Sequence, residues 1–400
     1  MSEAPRTLTP ASEEEVAAVV SEAAAAGHRL GVEGGGTRHG LGRPIETDAT
    51  LSASRLTGVV FHEPAELVIA AKAGTPVREI EAALAEHGQM LAFEPMDHRT
   101  LFGSDGEPTI GGVVAVNASG PRRVKVGAAR DALLGVRFVN GKGEIIKSGG
   151  RVMKNVTGLD LTKPLCGSHG TLGFLTEVVF KVLPRPERSL TVMLGGLTDA
   201  DAIAALSSAL GSPFEPSGAA HIPANARVTE ARTLVRLEGF SDSVDHRRAA
   251  LAETLARWGA TQTIEGNEAD GLWRSVRDAA LLSEARNAAI WRIACIPSKA
   301  ADLAVEIASA FEVAHWFFDL GGALIWLAIE GADDAGAAAV RQALAHTSGH
   351  ATLVRAPDAI RQSVPVFQPQ NETVAALTRG LKQSFDPSCV FQPGRMYADI

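Results

Sequence analysis

Hydrophobic and polar residues recur along this chain with the periods of helices and strands in turn. Thr9, Pro10 and Ser12, followed by Glu13, Glu14 and Glu15, open a helix with a proline and an acidic first turn. Alanines carry that helix to Gly27, a C-terminal stop. A short strand at 28–33 then runs into three consecutive glycines. Strand-like segments at 136–139 and 144–146 flank Asn140-Gly141, a hairpin signal. Pro184 and Pro186 follow another strand-like run and block its continuation. Beyond them, strands are expected at 190–194, 233–237, 288–296, 323–329 and 352–354, and helices at 199–210, 243–258, 299–311 and 335–345. This alternation predicts an α+β layer, with helices on one face of a sheet. Trp291, Trp316, Trp326 and the pair Phe317-Phe318 sit in strand-like segments and are expected in the core.

Composition narrows the class. The 400 residues exceed a single domain of roughly 100–200 residues, and the proline break predicts two, 1–186 and 187–400. With 46% hydrophobic and 21% charged residues the chain is globular rather than disordered. Its 46 acidic residues outnumber the 38 basic ones, a net charge of −8, which argues against nucleic-acid binding. Cys166, Cys295 and Cys389 are far apart and supply neither a disulfide framework nor an iron–sulfur binding run, which fits a reducing compartment. The N-terminus lacks the charged-then-apolar order of a secretory signal. The most apolar stretch, 323–329, falls far short of the ~20 residues a membrane helix needs. A cytoplasmic location is expected, with any membrane contact made through a partner.

Three glycine-bearing blocks carry candidate chemistry. Gly34, Gly35 and Gly36 with Thr37 follow the 28–33 strand, and their exposed N–H groups would form an anion nest suited to a diphosphate. A flexible strand-to-loop turn explains the block equally well. A Rossmann fingerprint fails because the sixth position from Gly34 is His39, and a Walker loop fails because Gly141-Lys142 is followed by Gly143. The second block runs from Thr109, Ile110, Gly111 and Gly112 to Asn117, Ser119 and Gly120. It suits a narrow slot for a flat ring, and a buried strand between two turns just as well. The third comprises 154–161 and then Gly167, Gly170 and Gly173, whose three-residue spacing suits a tight backbone contact.

Taken in order and spacing, these blocks resemble the FAD-binding domain of the vanillyl-alcohol-oxidase, or PCMH-type, flavoprotein superfamily. The tail from Leu381 to Arg395 resembles that superfamily's FAD-linked oxidase C-terminal signature. The stretches 119–123, 129–131 and 349–355 are similar to the FAD-binding subunits of bacterial glycolate oxidases. The resemblance spans essentially the whole chain. It implies an α+β fold: a PCMH-type FAD-binding domain of two α+β subdomains, then an α+β cap with an antiparallel sheet. FAD would be held non-covalently, although His39 is a candidate linkage site. Gly34, Gly35, Gly36 and Thr37 would hold the diphosphate. Thr109, Ile110, Gly111, Gly112, Asn117, Ser119 and Gly120 would line the flavin side, and 173–178, from Gly173 to Val178, would pair with the dinucleotide. The implied partners are a larger paralogous FAD subunit and an iron–sulfur subunit of a glycolate oxidase complex.

One departure stands out. Relatives that oxidise D-2-hydroxy acids carry a Gly-Glu-His-Gly-type stretch supplying the proton-accepting histidine, and none is present. His350 is the remaining candidate base; Arg355 and Arg395 are candidate carboxylate clamps. His346 and His350 are four apart but have no third ligand nearby, so no metal is expected. Arg122, Arg123 and Lys125 form a local basic patch, read equally well as a solvated loop. The leading expectation is a flavin subunit that takes part in oxidising glycolate. A self-sufficient dehydrogenase of another small acid or alcohol, and a non-catalytic assembly subunit, are the alternatives.

Overall fold

The computed structural model describes residues 6–150, 159–225 and 228–400. They fall into two compact units, the first of residues 1–119, 128–185 and 369–400, the second of 120–127 and 186–368.

The first unit is built on two sheets. Three parallel strands lie in the order Arg6–Leu8, Ala49–Ser52, Leu30–Glu33. Five antiparallel strands follow the order Val59–Glu63, Val68–Lys72, Phe174–Lys181, Leu133–Val139, Ile145–Gly149. The opening helix is Glu13–Ala26: the Ser12 hydroxyl accepts from the Glu15 N–H, and Gly27 ends it in the left-handed region. Val16, Val20 and Ala23 turn inward and pack with Leu30, Leu51, Val139 and Phe174.

The hairpin at 133–149 forms, but not through a two-residue Asn-Gly turn. Asn140 Oδ1 accepts from the N–H groups of Lys142 and Glu144, and Gly143 is the residue with positive φ. Gly141 is glycine because a Cβ there would lie 2.0 Å from Asp386 Oδ1. The run Ile110–Val116 forms a helix rather than a strand. Thr109 caps its start and Asn117, at φ 52°, its end, and these caps override three β-branched valines.

The tail also corrects the sequence reading, which assigned it to the second domain. Leu30 N–H donates to the Val390 carbonyl and Gln392 N–H to the Leu30 carbonyl, so the tail extends the first unit's parallel pairing. Phe391, fully buried, belongs to the first unit's core. The helix Glu372–Phe385 precedes it, and Lys382 fixes it by donating to Asp386 Oδ2 and to the carbonyls of Thr171 and Phe391.

The second unit holds one antiparallel sheet of eight strands. Their order is Thr261–Glu265, Arg188–Gly195, Arg232–Gly239, Gly218–Ile222, Ala314–Asp319, Leu324–Ile329, Ala289–Cys295, Gly349–Arg355. Two of these, Gly218–Ile222 and Thr261–Glu265, exceed what hydrophobic patterning predicted, while Ala314–Asp319 is the strand-like segment expected around Trp316, Phe317 and Phe318. Trp291, Ile293, Ile325 and Leu327 pack with residues of the helices Ala300–Ala308 and Ala337–Ala345 to form the main core. The segment 120–127 is tied to this sheet by Arg122, which donates from Nε and Nη2 to Glu238 at 2.9 and 2.8 Å. No helix among the described residues is long and apolar enough to cross a membrane.

Candidate functional site

The strand Leu30–Glu33 delivers the glycine loop to the rim of a cleft in the first unit. The cleft encloses about 840 Å³, open to solvent, within the range typical of cofactor sites. Gly34, Gly35, Gly36, Thr37, Thr109, Gly111, Gly112 and Gly173 all line it. Sequence reasoning therefore brought together most of the cofactor residues it named.

The reason for the glycines differs from the one expected. A Cβ on Gly35 would sit 1.7 Å from the Glu107 carbonyl oxygen, and one on Gly106 would sit 1.8 Å from the Gly35 carbonyl oxygen. These two backbones pack directly on each other. A Cβ on Gly34 would meet Thr109 Oγ1 at 2.2 Å, and one on Gly111 would meet the Ala73 side chain at 2.7 Å. Gly36 and Gly170, both at φ 74°, answer to a left-handed backbone. The glycines thus close the walls of the cleft, and its main-chain N–H groups are placed by that closure.

Five expected residues do not line the cleft. Ile110 is fully buried in its helix. Asn117 Oδ1 accepts from the Arg130 N–H at 3.0 Å and from the Cys166 thiol. Ser119 Oγ accepts from the Ala129 N–H and donates to the Asn117 carbonyl, so both polar side chains of that turn serve local structure. Gly120 lies in the second unit, where its carbonyl accepts from the Arg123 N–H. Val178 is a buried strand residue opposite Ala71 and Val136. Of the expected block at 154–161, residues 154–158 lie outside the described residues.

Arg38, which sequence reasoning passed over, and Arg395, expected as a carboxylate clamp, give the cleft its charge. Arg38 lines it, donating from Nη1 to Thr37 Oγ1 and from Nη2 to the Met96 carbonyl, both at 3.2 Å. Its Nε is buried with no hydrogen-bond partner among the described residues. Burial lowers this guanidinium to about 10, partly offset by Asp97, so it stays charged at neutral pH. His169, at φ 53°, lines the same cleft and holds its loop by donating to the Ala115 carbonyl and accepting from Gln392 Nε2. Burial and then the Arg395 charge depress its ring to about 4, so it is neutral. Arg395 also lines the cleft, with Nη1 donating to the Arg43 carbonyl. Glu33 at the rim lies 3.4 Å from the exposed His39 ring. Two arginines, neutral His169 and bare main-chain amides suit an anionic dinucleotide. The orphaned Arg38 Nε is the atom that most needs an acceptor. The residues present fit FAD.

The proposed catalytic set is not gathered in one unit. Arg395 belongs to the first unit, His350 and Arg355 to the second. His350 is exposed near the start of the strand Gly349–Arg355, and Arg355 ends that strand about 15 Å away. Arg355 is a structural residue: Nε donates to the Ala288 carbonyl at 3.3 Å and Nη2 to that of Ala285. His346 ends a helix while His350 lies on a strand, so the pair shares no helical face.

Comparison with known proteins agrees with this geometry. A model of the FAD binding domain matches residues 4–149. The chain is 34% identical over 372 residues to the glycolate oxidase subunit GlcE of Escherichia coli (strain K12), covering 93% of each chain. Over 157 residues it is 34% identical to the glycolate oxidase subunit GlcD of Bacillus subtilis (strain 168), covering 39% of this chain and 32% of that one. In fold it is similar to the 4-ethylphenol oxidase from Gulosibacter chungangensis. The TM-score is 0.74 at 14% identity, over 98% of this chain and 89% of that one.

Proposed function

The chain belongs to the family of FAD-binding glycolate oxidase subunits, flavoproteins of the PCMH type, and from that premise we propose that it works as one flavin-carrying subunit of a complex that oxidises glycolate to glyoxylate. It is an FAD-dependent oxidoreductase acting on CH–OH donors. In this reading its neighbours in the complex are a larger paralogous FAD subunit and an iron–sulfur subunit. The cysteines favour a separate cluster-bearing partner. Cys166, Cys295 and Cys389 are too few and too widely spaced along the chain to form a cluster-binding run.

When bound, FAD supplies two-electron acceptance from carbon and stepwise release of those electrons. The chain's own residues do the rest. The main chain at 34–37 and the Thr37 hydroxyl hold the diphosphate, and Arg38 sets a positive charge against it in a low-dielectric wall. Neutral His169 adds no second buried charge, and its loop is held in place by Gln392. The carrying observation is the buried, unpartnered Arg38 Nε in a cleft of cofactor size.

The test is spectroscopic. The chain is purified with its co-expressed neighbours, its visible spectrum recorded, and glycolate added without oxygen. A flavin band on this chain that bleaches with glycolate is expected. A colourless chain, or flavin that stays oxidised throughout the complex, overturns the proposal.

A further inference from the structure

On the strand Ala289–Cys295, Trp291 and Ile293 enter the helix-packed core, so Arg292 between them points to the opposite face of the sheet. The register places it in a row with Phe317, Trp326 and Thr352, each on a different strand. Thr352 and Trp326 stand directly across from Arg292, at the ~5 Å Cβ spacing of cross-strand neighbours. His350 and Asp319 occupy the adjoining row, with Ala294 and Leu324 between them. The Phe317 and Trp326 rings stack 6.4 Å apart and form an apolar wall beside the guanidinium.

The Arg292 guanidinium makes no hydrogen bond and no ion pair with any described residue. Arg236 and Arg122 of the same unit, by contrast, are held by Ser217 and Glu238. Its surroundings make it costly to keep. Burial and then the nearby Arg123 charge lower it to about 10, with Asp319 pulling the other way. His350 is also pushed down, by burial, then Arg292, Arg123 and Arg341, and so presents a neutral ring at neutral pH. A half-buried arginine without a protein acceptor, backed by a second arginine, is a site wanting an anion. The guanidinium fork takes a carboxylate in two parallel hydrogen bonds, and the flat Phe317–Trp326 wall suits a planar ligand.

We infer that Arg292, with Thr352 and His350 beside it, forms the binding site on this chain for a small carboxylate. The inference rests on the hydroxy-acid reading above and assigns that acid's carboxylate to a named residue. Arg292 takes the carboxylate in a forked contact, and the neutral His350 ring accepts a hydrogen bond from the 2-hydroxyl. Arg355, the sequence candidate for the clamp, holds backbone carbonyls instead.

Oxalate, a small dicarboxylate with no C–H bond to oxidise, is the probe, titrated by calorimetry into the flavin-loaded protein. Saturable one-site binding is expected, weakened about 10- to 100-fold in Arg292→Gln, the loss that follows from removing a charge-assisted pair. Arg292→Lys keeps the charge without the fork and is expected to fall between the two. Thermal unfolding of each variant establishes that it is folded. Inorganic phosphate at the same concentration is expected to leave oxalate binding unchanged. Wild-type affinity in a folded Arg292→Gln, absence of saturable binding in the wild type, or equal displacement by phosphate would each overturn the site. Flavin content and glycolate bleaching of the same wild-type sample report on the wider reading separately. A yellow protein that glycolate bleaches but whose Arg292→Gln variant binds oxalate normally sinks the site alone.

Discussion

Replacing Lys382 with methionine tests whether the C-terminal segment builds the flavin cleft. Lys382 and Asp386 form an ion pair at 2.7 Å whose side chains are 5% and 0% exposed. All three ammonium hydrogens are used, on Asp386 and on the Thr171 and Phe391 carbonyls. Asp386 in turn accepts from the N–H groups of Val390 and Phe391. Methionine keeps the length of the stem but leaves Asp386 buried without its cation, a loss of about 3–5 kcal/mol for a pair of this kind. In a unit of about 200 residues each kcal/mol moves Tm by about 2–4 °C, so a fall of about 6–20 °C is expected. Thr171 follows Ser168, His169 and Gly170, three cleft residues, so flavin is also expected to leave at a lower temperature. The double variant Lys382→Met with Asp386→Asn removes the stranded charge and is expected to recover part of the loss. Scanning calorimetry measures both effects, with flavin fluorescence followed in parallel. A single variant within about 2 °C of wild type, or a double variant showing the plain sum of the two single losses, would refute the reasoning.

Two further expectations follow from buried charges. Arg38→Met removes the unpartnered Nε, so the apoprotein is expected to unfold within ~1 kcal/mol of wild type, because two hydrogen bonds to neutral acceptors are exchanged for relief from burying a charge. Its flavin affinity, titrated by fluorescence quenching, is expected to drop about tenfold or more, and an unchanged affinity contradicts the assigned role. In the second unit, burial alone would raise the Glu238 carboxyl, but the Arg122 hydrogen bond, the Arg236 and Arg122 charges and Ser217 outweigh it and bring it to about 2. A carboxyl held below its unfolded value contributes stability above about pH 4.5 and loses it as the pH falls toward 2. The contribution is on the order of 3 kcal/mol. Acid unfolding of Glu238→Gln, followed by circular dichroism, is expected to show a flatter profile between those limits than wild type, and matching profiles count against it.

What the sequence disclosed was whatever short-range rules decide. Ser12 and Gly27 bound the opening helix because a cap needs only its own neighbours, and the apolar runs of the second unit located six of its eight strands for the same reason. The strands Gly218–Ile222 and Thr261–Glu265 escaped because their residues, Gly-Ala-Ala-His-Ile and Thr-Gln-Thr-Ile-Glu, carry little apolar patterning; their partners across the sheet make them strands. The tail's place in the first unit depends on Leu30, more than 350 residues upstream, and no local pattern encodes such a pairing. Arg38 and Arg292 escaped for a related reason: nothing in a sequence tells a solvated arginine from one drawn out of solvent by its neighbours. Arg355, by the same logic, was indistinguishable from a clamp until its two carbonyl partners were in view.

The glycine blocks show how a correct location can rest on an incomplete cause. Gly35 and Gly106 each forbid a Cβ on the other's behalf, and Gly34 and Gly111 do the same toward Thr109 and Ala73. Small residues there bring the loop at 34–37 against the segment 106–112, and the cleft is what remains between them. Binding energy for an anion must then come mainly from groups the approach leaves facing inward: the loop's N–H donors, the Thr37 hydroxyl and the Arg38 guanidinium. A chain with the same glycines but an uncharged residue at position 38 would keep the cleft and lose the positive charge beside the glycine loop, leaving Arg395 alone. Glycine spacing therefore reports the shape of this site, and the single arginine after it reports the charge of what the site holds.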